Sequence, residues 1–201
     1  MIRLSPAQEK SLGIAGPTSP GKSRAREPKT RKPVKPAVPP RKILFLDPSS
    51  TSIGWAIFEG FQLERVGVLR ASSRDQDRRT DQLASQVLDL ARESGSGLIV
   101  AEVASGLHRR AAATRGNQAA TAICALSQGV YVGTLRAAGF VVERAQERTW
   151  TKGRTKQARA NTVYLTEPVY RRFVDQGQDK GLDAADAVGL GRWFLAQLNG
   201  R

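Results

Sequence analysis

Lys42-Ile43-Leu44-Phe45-Leu46-Asp47-Pro48-Ser49-Ser50-Thr51-Ser52-Ile53-Gly54-Trp55-Ala56-Ile57-Phe58 narrows what this chain can become more than any other stretch. Ile43 to Leu46 are apolar at every position, so neither face of a strand built from them suits water. Such a strand belongs in the middle of a sheet. It ends on a carboxylate, Asp47, and Pro48-Ser49-Ser50 is turn chemistry. Gly54 to Phe58 then resumes an extended pattern, so the stretch reads as a hairpin. An acid at the end of a buried strand is costly unless something positive meets it. A divalent metal ion is the expected partner, with other acids arriving from far along the chain.

The remaining elements follow from spacing. Phe61 to Arg70 reads as a third strand, which makes an antiparallel meander. Ser72 to Arg79 is a polar linker. From Asp81 the pattern turns helical, with Leu83, Val87, Leu88, Leu90 and Ala91 on one face and Gly95 as a stop. Gly97 to Ala101 is another short buried strand, and it ends on Glu102. Strand, helix, strand implies a parallel crossover. Val103 to Gly116 is a loop holding His108, Arg109, Arg110 and Arg115. Asn117 to Ala138 is predicted to be a long helix with Ile123, Leu126, Val130 and Leu135 facing inward. Gly139 to Glu143 is the last strand. Thr149 to Gln157 carries Lys152, Arg154 and Lys156 around Trp150. Ala158 to Phe173 is helical with a break at Pro168, and Leu182 to Leu198 is the final helix. The class is α/β.

Charge points to the partner. Thirty-two lysines and arginines face 18 acids, for a net charge of +14. A polyanion is the expected ligand, nucleic acid before membrane, because no apolar run approaches the ~20 residues that span a bilayer. Residues 1–41 hold eight of the ten prolines and ten basic residues against two glutamates. That composition cannot bury a core, so 1–41 is expected to be a disordered basic tail and 42–201 the folded domain. The tail is either a DNA-gathering arm or a solvated segment without a task. Cys124 and His108 are the only residues of their types, which leaves no Cys/His zinc site within one chain. Chemistry, if present, falls to carboxylates.

Four acids stand out: Asp47, Glu102, Asp183 and Asp186. The first two end apolar strands. The last two lie three apart at the start of a helix and share a face. Brought together in apolar surroundings they repel and bind protons more tightly, a penalty that divalent cations remove. Oxygen-only ligands favour magnesium or manganese over zinc. Two such ions suit phosphodiester hydrolysis. Each acid also has an ordinary structural reading: Asp183 as a helix N-cap with Asp186 in the first turn, Glu102 as the first residue past a strand, Asp47 as an Asx-turn former.

Phe45-Leu46-Asp47-Pro48-Ser49-Ser50-Thr51-Ser52-Ile53-Gly54-Trp55 resembles the opening hairpin of RuvC-type Holliday junction resolvases. Leu98-Ile99-Val100-Ala101-Glu102-Val103 is similar to their second acidic strand, and Leu126-Ser127-Gln128-Gly129 to part of their following helix. Leu182-Asp183-Ala184-Ala185-Asp186-Ala187-Val188-Gly189-Leu190 resembles their terminal acidic helix and is the most specific match. The resemblance covers about Lys42 to Leu198. It implies a ribonuclease H-like fold: a five-stranded mixed sheet, three strands antiparallel and then two parallel, flanked by helices. It also implies a homodimeric crossover junction endonuclease of DNA recombination and repair, cytoplasmic, phage-type relatives included. Asp47, Glu102, Asp183 and Asp186 match the acids that bind two Mg²⁺ ions, with Mn²⁺ as a substitute. Lys156 falls where the family has a basic residue, and Lys152 is a looser match. Both grip the scissile phosphate or contact phosphates generally. Many relatives carry an aromatic wedge after the second acid; here Leu107 stands nearby instead. Arg109, Arg110, Arg115 and Arg154 suit the DNA backbone.

Three other readings compete. Actin-like ATPases and sugar kinases also open with Asp and a Gly/Ser/Thr hairpin, although a second phosphate hairpin is missing here. A non-catalytic branched-DNA-binding module would leave the acids structural. The third is a ribonuclease H or a fragment of an RNA-guided nuclease, the latter sharing the Ile53-Gly54-Trp55 hairpin.

Overall fold

A computed structural model describes residues 42–103 and 115–200, with the side chains of 115–118 outside that description. Residues 1–41, the basic tail of the sequence analysis, and residues 104–114, with Leu107, Arg109 and Arg110 among them, therefore lie outside the described residues.

Strand β1, Lys42–Pro48, is the centre of the sheet. β2, Ser52–Glu59, pairs with it antiparallel, and β3, Gln62–Arg70, pairs antiparallel with β2. β4, Leu98–Val103, lies parallel to β1 on its other side, and β5, Val142–Gln146, lies parallel to β4. The order β3-β2-β1-β4-β5 is the mixed five-stranded sheet expected from the sequence. Between β3 and β4 runs helix α1, Gln76–Ser94. It starts five residues before the predicted Asp81 because the Asp75 carboxylate accepts a bond from Arg78 N and caps it. Gly95, at φ 63°, ends it. Helix α2, Arg115–Ala137, joins β4 to β5. β5 begins three residues after the predicted Gly139.

The double-faced run of β1 explains the layers. Ile43 and Phe45 meet Ala56, Phe58 and Val100 on one face. Over them lie α4 (Lys156–Thr166), α5 (Pro168–Asp175) and α6 (Asp183–Asn199). Leu44 and Leu46 face the other way, against Ile53, Ile57, Leu83 and Val87 of α1, and Tyr131 and Leu135 of α2. Pro168 starts α5 at its first turn, which is the helix break expected there. A further short helix, α3 (Glu147–Thr151), interrupts the basic segment. Ala184, Ala185 and Ala187 let α6 lie close on the sheet. At Gly191 an added Cβ would stand 2.5 Å from the Phe58 ring. None of the described helices is long and apolar enough to cross a membrane.

One expected packing face is corrected. Leu126 is 72% exposed, and Ile123 and Val130 are exposed as well, although Leu135 is buried as expected. The helix turns a more polar stripe inward. Ser127 meets Thr80 at 3.1 Å, Gln128 Nε2 donates to the Pro48 carbonyl at 2.9 Å, and the Tyr131 hydroxyl donates to the Ser49 carbonyl at 3.2 Å. Anchoring the polar β1–β2 turn takes precedence over burying the larger aliphatic side chains.

Candidate active site

Strand parity decides where the first two acids point. Side chains alternate along a strand. Asp47 therefore shares the face of Phe45, and Glu102 the face of Val100, both of which pack under α6. The two strands run parallel with Leu46 opposite Ala101. One step further along, Asp47 and Glu102 leave the sheet at the same edge.

The other pair is delivered by α6. Its N-terminus is held from outside: the buried carboxylate of Asp179 accepts bonds from Ala184 N and Ala185 N at 3.2 and 3.1 Å, and from the Tyr170 hydroxyl at 2.9 Å. Asp183 is therefore not the cap, and the ordinary reading of that residue fails. Leu182 takes the left-handed conformation, φ 59°, to turn the chain into the helix. Gly54, paired with Asp47 across the hairpin, completes the approach. A Cβ on Gly54 would lie 2.0 Å from the Asp183 carbonyl oxygen, so only glycine allows α6 to begin here.

Two cations from the first turn of α4 meet these acids. Lys156 Nζ stands 2.7 Å from Asp183 Oδ1, 3.6 Å from Asp186 Oδ2 and 4.0 Å from Asp47 Oδ2. Ser52 Oγ donates to the other Asp183 oxygen at 2.7 Å. Arg159, three residues after Lys156, forks onto Asp186 at 2.7 Å (Nε to Oδ1) and 2.8 Å (Nη2 to Oδ2). Its guanidinium lies 5.0 Å from the centre of the Trp150 ring. The Trp150 Nε1–H donates to Glu102 Oε2 at 2.7 Å. Lys152 and Arg154 are exposed on the link between α3 and α4, beside this cluster.

Electrostatics follows from the convergence. Burial raises the Asp47 carboxyl well above its usual range, and the charges of Glu102, Asp186 and Asp183 add to that, against Lys156. Glu102 is pushed up to about 7, chiefly by burial and then by Glu147 and Asp186, against the Trp150 hydrogen bond and Arg159. For Lys156, burial acts downward but is outweighed by the Asp183 hydrogen bond and the acid charges, so its affinity for the proton rises. The crowded acids thus hold protons on Asp47 and Glu102 more tightly, a penalty that a further cation would relieve.

The donor set fits a hard divalent ion. All four carboxylates reach one sheet edge, and a lysine ammonium already lies among three of them. Among the described residues, however, no three acidic, histidine or cysteine side chains are drawn close enough to hold an ion as they stand. Lys156 and Arg159 take up the oxygens instead.

Asp47, Glu102, Asp183, Asp186 and Lys156 are therefore brought together. Leu107, Arg109 and Arg110 lie outside the described residues, and Arg115 is placed only by its backbone, at the start of α2. Sequence reasoning missed Arg159, Trp150 and Ser52. A signal for Arg159 was available: Lys156 and Arg159 repeat the three-residue spacing of Asp183 and Asp186, and each pair is separated by 27 positions.

No family model matches the chain, and no curated protein matches it in sequence. Solved structures do match its fold. Thermus thermophilus RuvC in complex with a Holliday junction substrate superposes with a TM-score of 0.58 at 13% identity, over 79% of this chain and 96% of that one. The yeast mitochondrial Holliday junction resolvase gives 0.54 at 13% identity, over 80% and 82%. Fowlpox virus resolvase, solved with Holliday junction DNA, gives 0.53 at 12% identity, over 78% and 98%. The fold is ribonuclease H-like, of the kind found in RuvC-type resolvases.

Proposed function

We propose that the chain is a divalent-metal-dependent, structure-selective DNA endonuclease that resolves four-way junctions as a homodimer. The observation that carries this reading is the meeting of Asp47, Glu102, Asp183 and Asp186, from β1, β4 and α6, at one edge of a ribonuclease H-like sheet. Those four side chains would hold two Mg²⁺ ions, with Mn²⁺ substituting. Bound there, the ions supply activation of a water nucleophile and stabilisation of the leaving oxygen.

The chain's own residues do the rest. Ser52 orients Asp183, and Trp150 orients Glu102. Lys156 is half-exposed and loosely shared among three acids, so it is free to turn to the scissile phosphate and stabilise its extra negative charge. Lys152 and Arg154 contact neighbouring phosphates, and Arg109, Arg110 and Arg115 do so from the segment that follows β4 in sequence and the start of α2. Leu107 is the candidate wedge at the branch point. A net charge of +14 favours the polyanion. The exposed Ile123, Leu126 and Val130 on α2 offer an apolar face for a second copy.

The test is purified protein mixed with a synthetic four-way junction or a matched linear duplex, with magnesium, with manganese or with chelator. Paired cuts in the junction alone, lost with chelator and lost in Asp47→Asn with binding retained, are expected. Junction binding without cleavage in either metal identifies a non-catalytic module instead, and full activity in Asp47→Asn removes the assignment.

A further inference from the structure

The two cations at the acid cluster are held very differently. Lys156 is 40% exposed and reaches only Asp183 at hydrogen-bonding distance. Arg159 is pinned by three groups. It grips both oxygens of Asp186, its Nη1 donates to the Arg154 carbonyl at 2.7 Å, and its plane rests on Trp150. Its side chain is 13% exposed and that of Asp186 only 5%. This is an enclosed, bidentate pair, the strong kind of ion pair.

We propose that Arg159 is a built-in counter-ion that neutralises Asp186 in the metal-free protein and thereby lowers the affinity of the cluster for divalent ions. The inference rests on the metal-dependent reading above. Asp186 is enclosed, so its charge needs a partner in every state. Without an ion, the guanidinium is that partner. With an ion at the cluster, the carboxylate is already compensated and the ion repels the guanidinium. The Arg159 pair is thus worth more in the free state than in the loaded one. Any interaction that favours the free state weakens binding by the difference. Trp150 extends the effect, because one ring carries the guanidinium on its face and holds Glu102 through its Nε1–H. Two of the four acids are in this way kept in an arrangement suited to the counter-ion.

The test is calorimetric titration of Mn²⁺ into the wild type, Arg159→Gln and Arg159→Lys at pH 8 without DNA, with circular dichroism to verify folding. Arg159→Gln is expected to bind roughly three- to tenfold more tightly, with Arg159→Lys between. A second readout uses the unaltered protein. Mg²⁺ should shift the indole ¹⁵N–H resonance of Trp150, assigned with Trp150→Phe, as the guanidinium and Glu102 rearrange. Binding by Arg159→Gln where the wild type shows none also supports the proposal. Equal or weaker affinity in folded Arg159→Gln overturns it. If that variant does not fold, an unmoved Trp150 signal at saturating Mg²⁺ overturns it. No ion binding by any of these proteins removes the metal-dependent reading itself, and the counter-ion role falls with it.

Discussion

Gly54 and Asp183, 129 positions apart in sequence, touch through their backbones: a Cβ at Gly54 would fall 2.0 Å from the Asp183 carbonyl oxygen. Gly54 also lies opposite Asp47 in the β1–β2 ladder. One missing side chain therefore brings the acid of β1 beside the acids of α6. Gly54→Ala should displace the start of α6 and cost roughly 1–3 kcal/mol of stability. Urea denaturation measures the loss. A variant as stable as the wild type would show that the helix can shift without penalty.

The metal-free protein should become less stable as pH rises. Glu102 binds its proton in the folded state with a pKa of about 7, against 4.5 for the ordinary group. Between those values the folded state holds more protons than the unfolded one, so stability falls with rising pH across that window and levels off above it. Asp47 acts in the same direction. Glu102 alone contributes on the order of 3 kcal/mol across that window. Melting curves in chelator from pH 4.5 to 8 check it, and Glu102→Gln should flatten the profile and melt higher than the wild type at pH 8.

Asp179 does the capping that the ordinary sequence reading assigned to Asp183. Asp179→Ala strands Ala184 N, Ala185 N and the buried Tyr170 hydroxyl, and should cost roughly 1–3 kcal/mol. Asp179→Asn keeps one acceptor oxygen and should cost less. Thermal melts of the two variants give the order.

Lys156→Met keeps the length of the side chain and removes the ammonium. Cleavage of a four-way junction should fall by roughly a hundredfold, while junction affinity changes little because many other basic residues remain. Single-turnover rates and a binding titration separate the two effects. A parallel loss of affinity and rate would reduce Lys156 to an ordinary phosphate contact.

Leu126 is 72% exposed on α2. Leu126→Glu should leave the monomer fold within about 0.5 kcal/mol of the wild type but shift a dimer to monomers, read by light scattering. Junction cuts should then cease to occur in pairs. A dimer that survives the substitution places the interface elsewhere.

The apolar run Ile43–Leu46 already implied a central strand that ends on Asp47. The Pro168 break and the small residues of Asp183–Ala187 were equally legible, because these are local constraints of backbone and side-chain size. The face of α2 was not. Periodicity favoured Ile123, Leu126 and Val130 as the buried stripe, whereas Gln128 and Tyr131 are turned inward to bond the β1–β2 turn and Ser127 to meet Thr80 of α1. A hydrophobic pattern records where apolar residues recur and carries no record of distant carbonyls in need of donors.

The sequence by itself determined the sheet's central strand, the four acids and the basic character of the surroundings, since each follows from residue type and short-range spacing. Only the tertiary structure decided that Arg159 grips both oxygens of Asp186 beside Lys156, that Trp150 ties it to Glu102, and that Asp179 releases Asp183 from capping. Those choices depend on how α4 lies against α6 across the sheet edge. That relation is set by packing between segments remote in sequence, and no window of adjacent residues contains it.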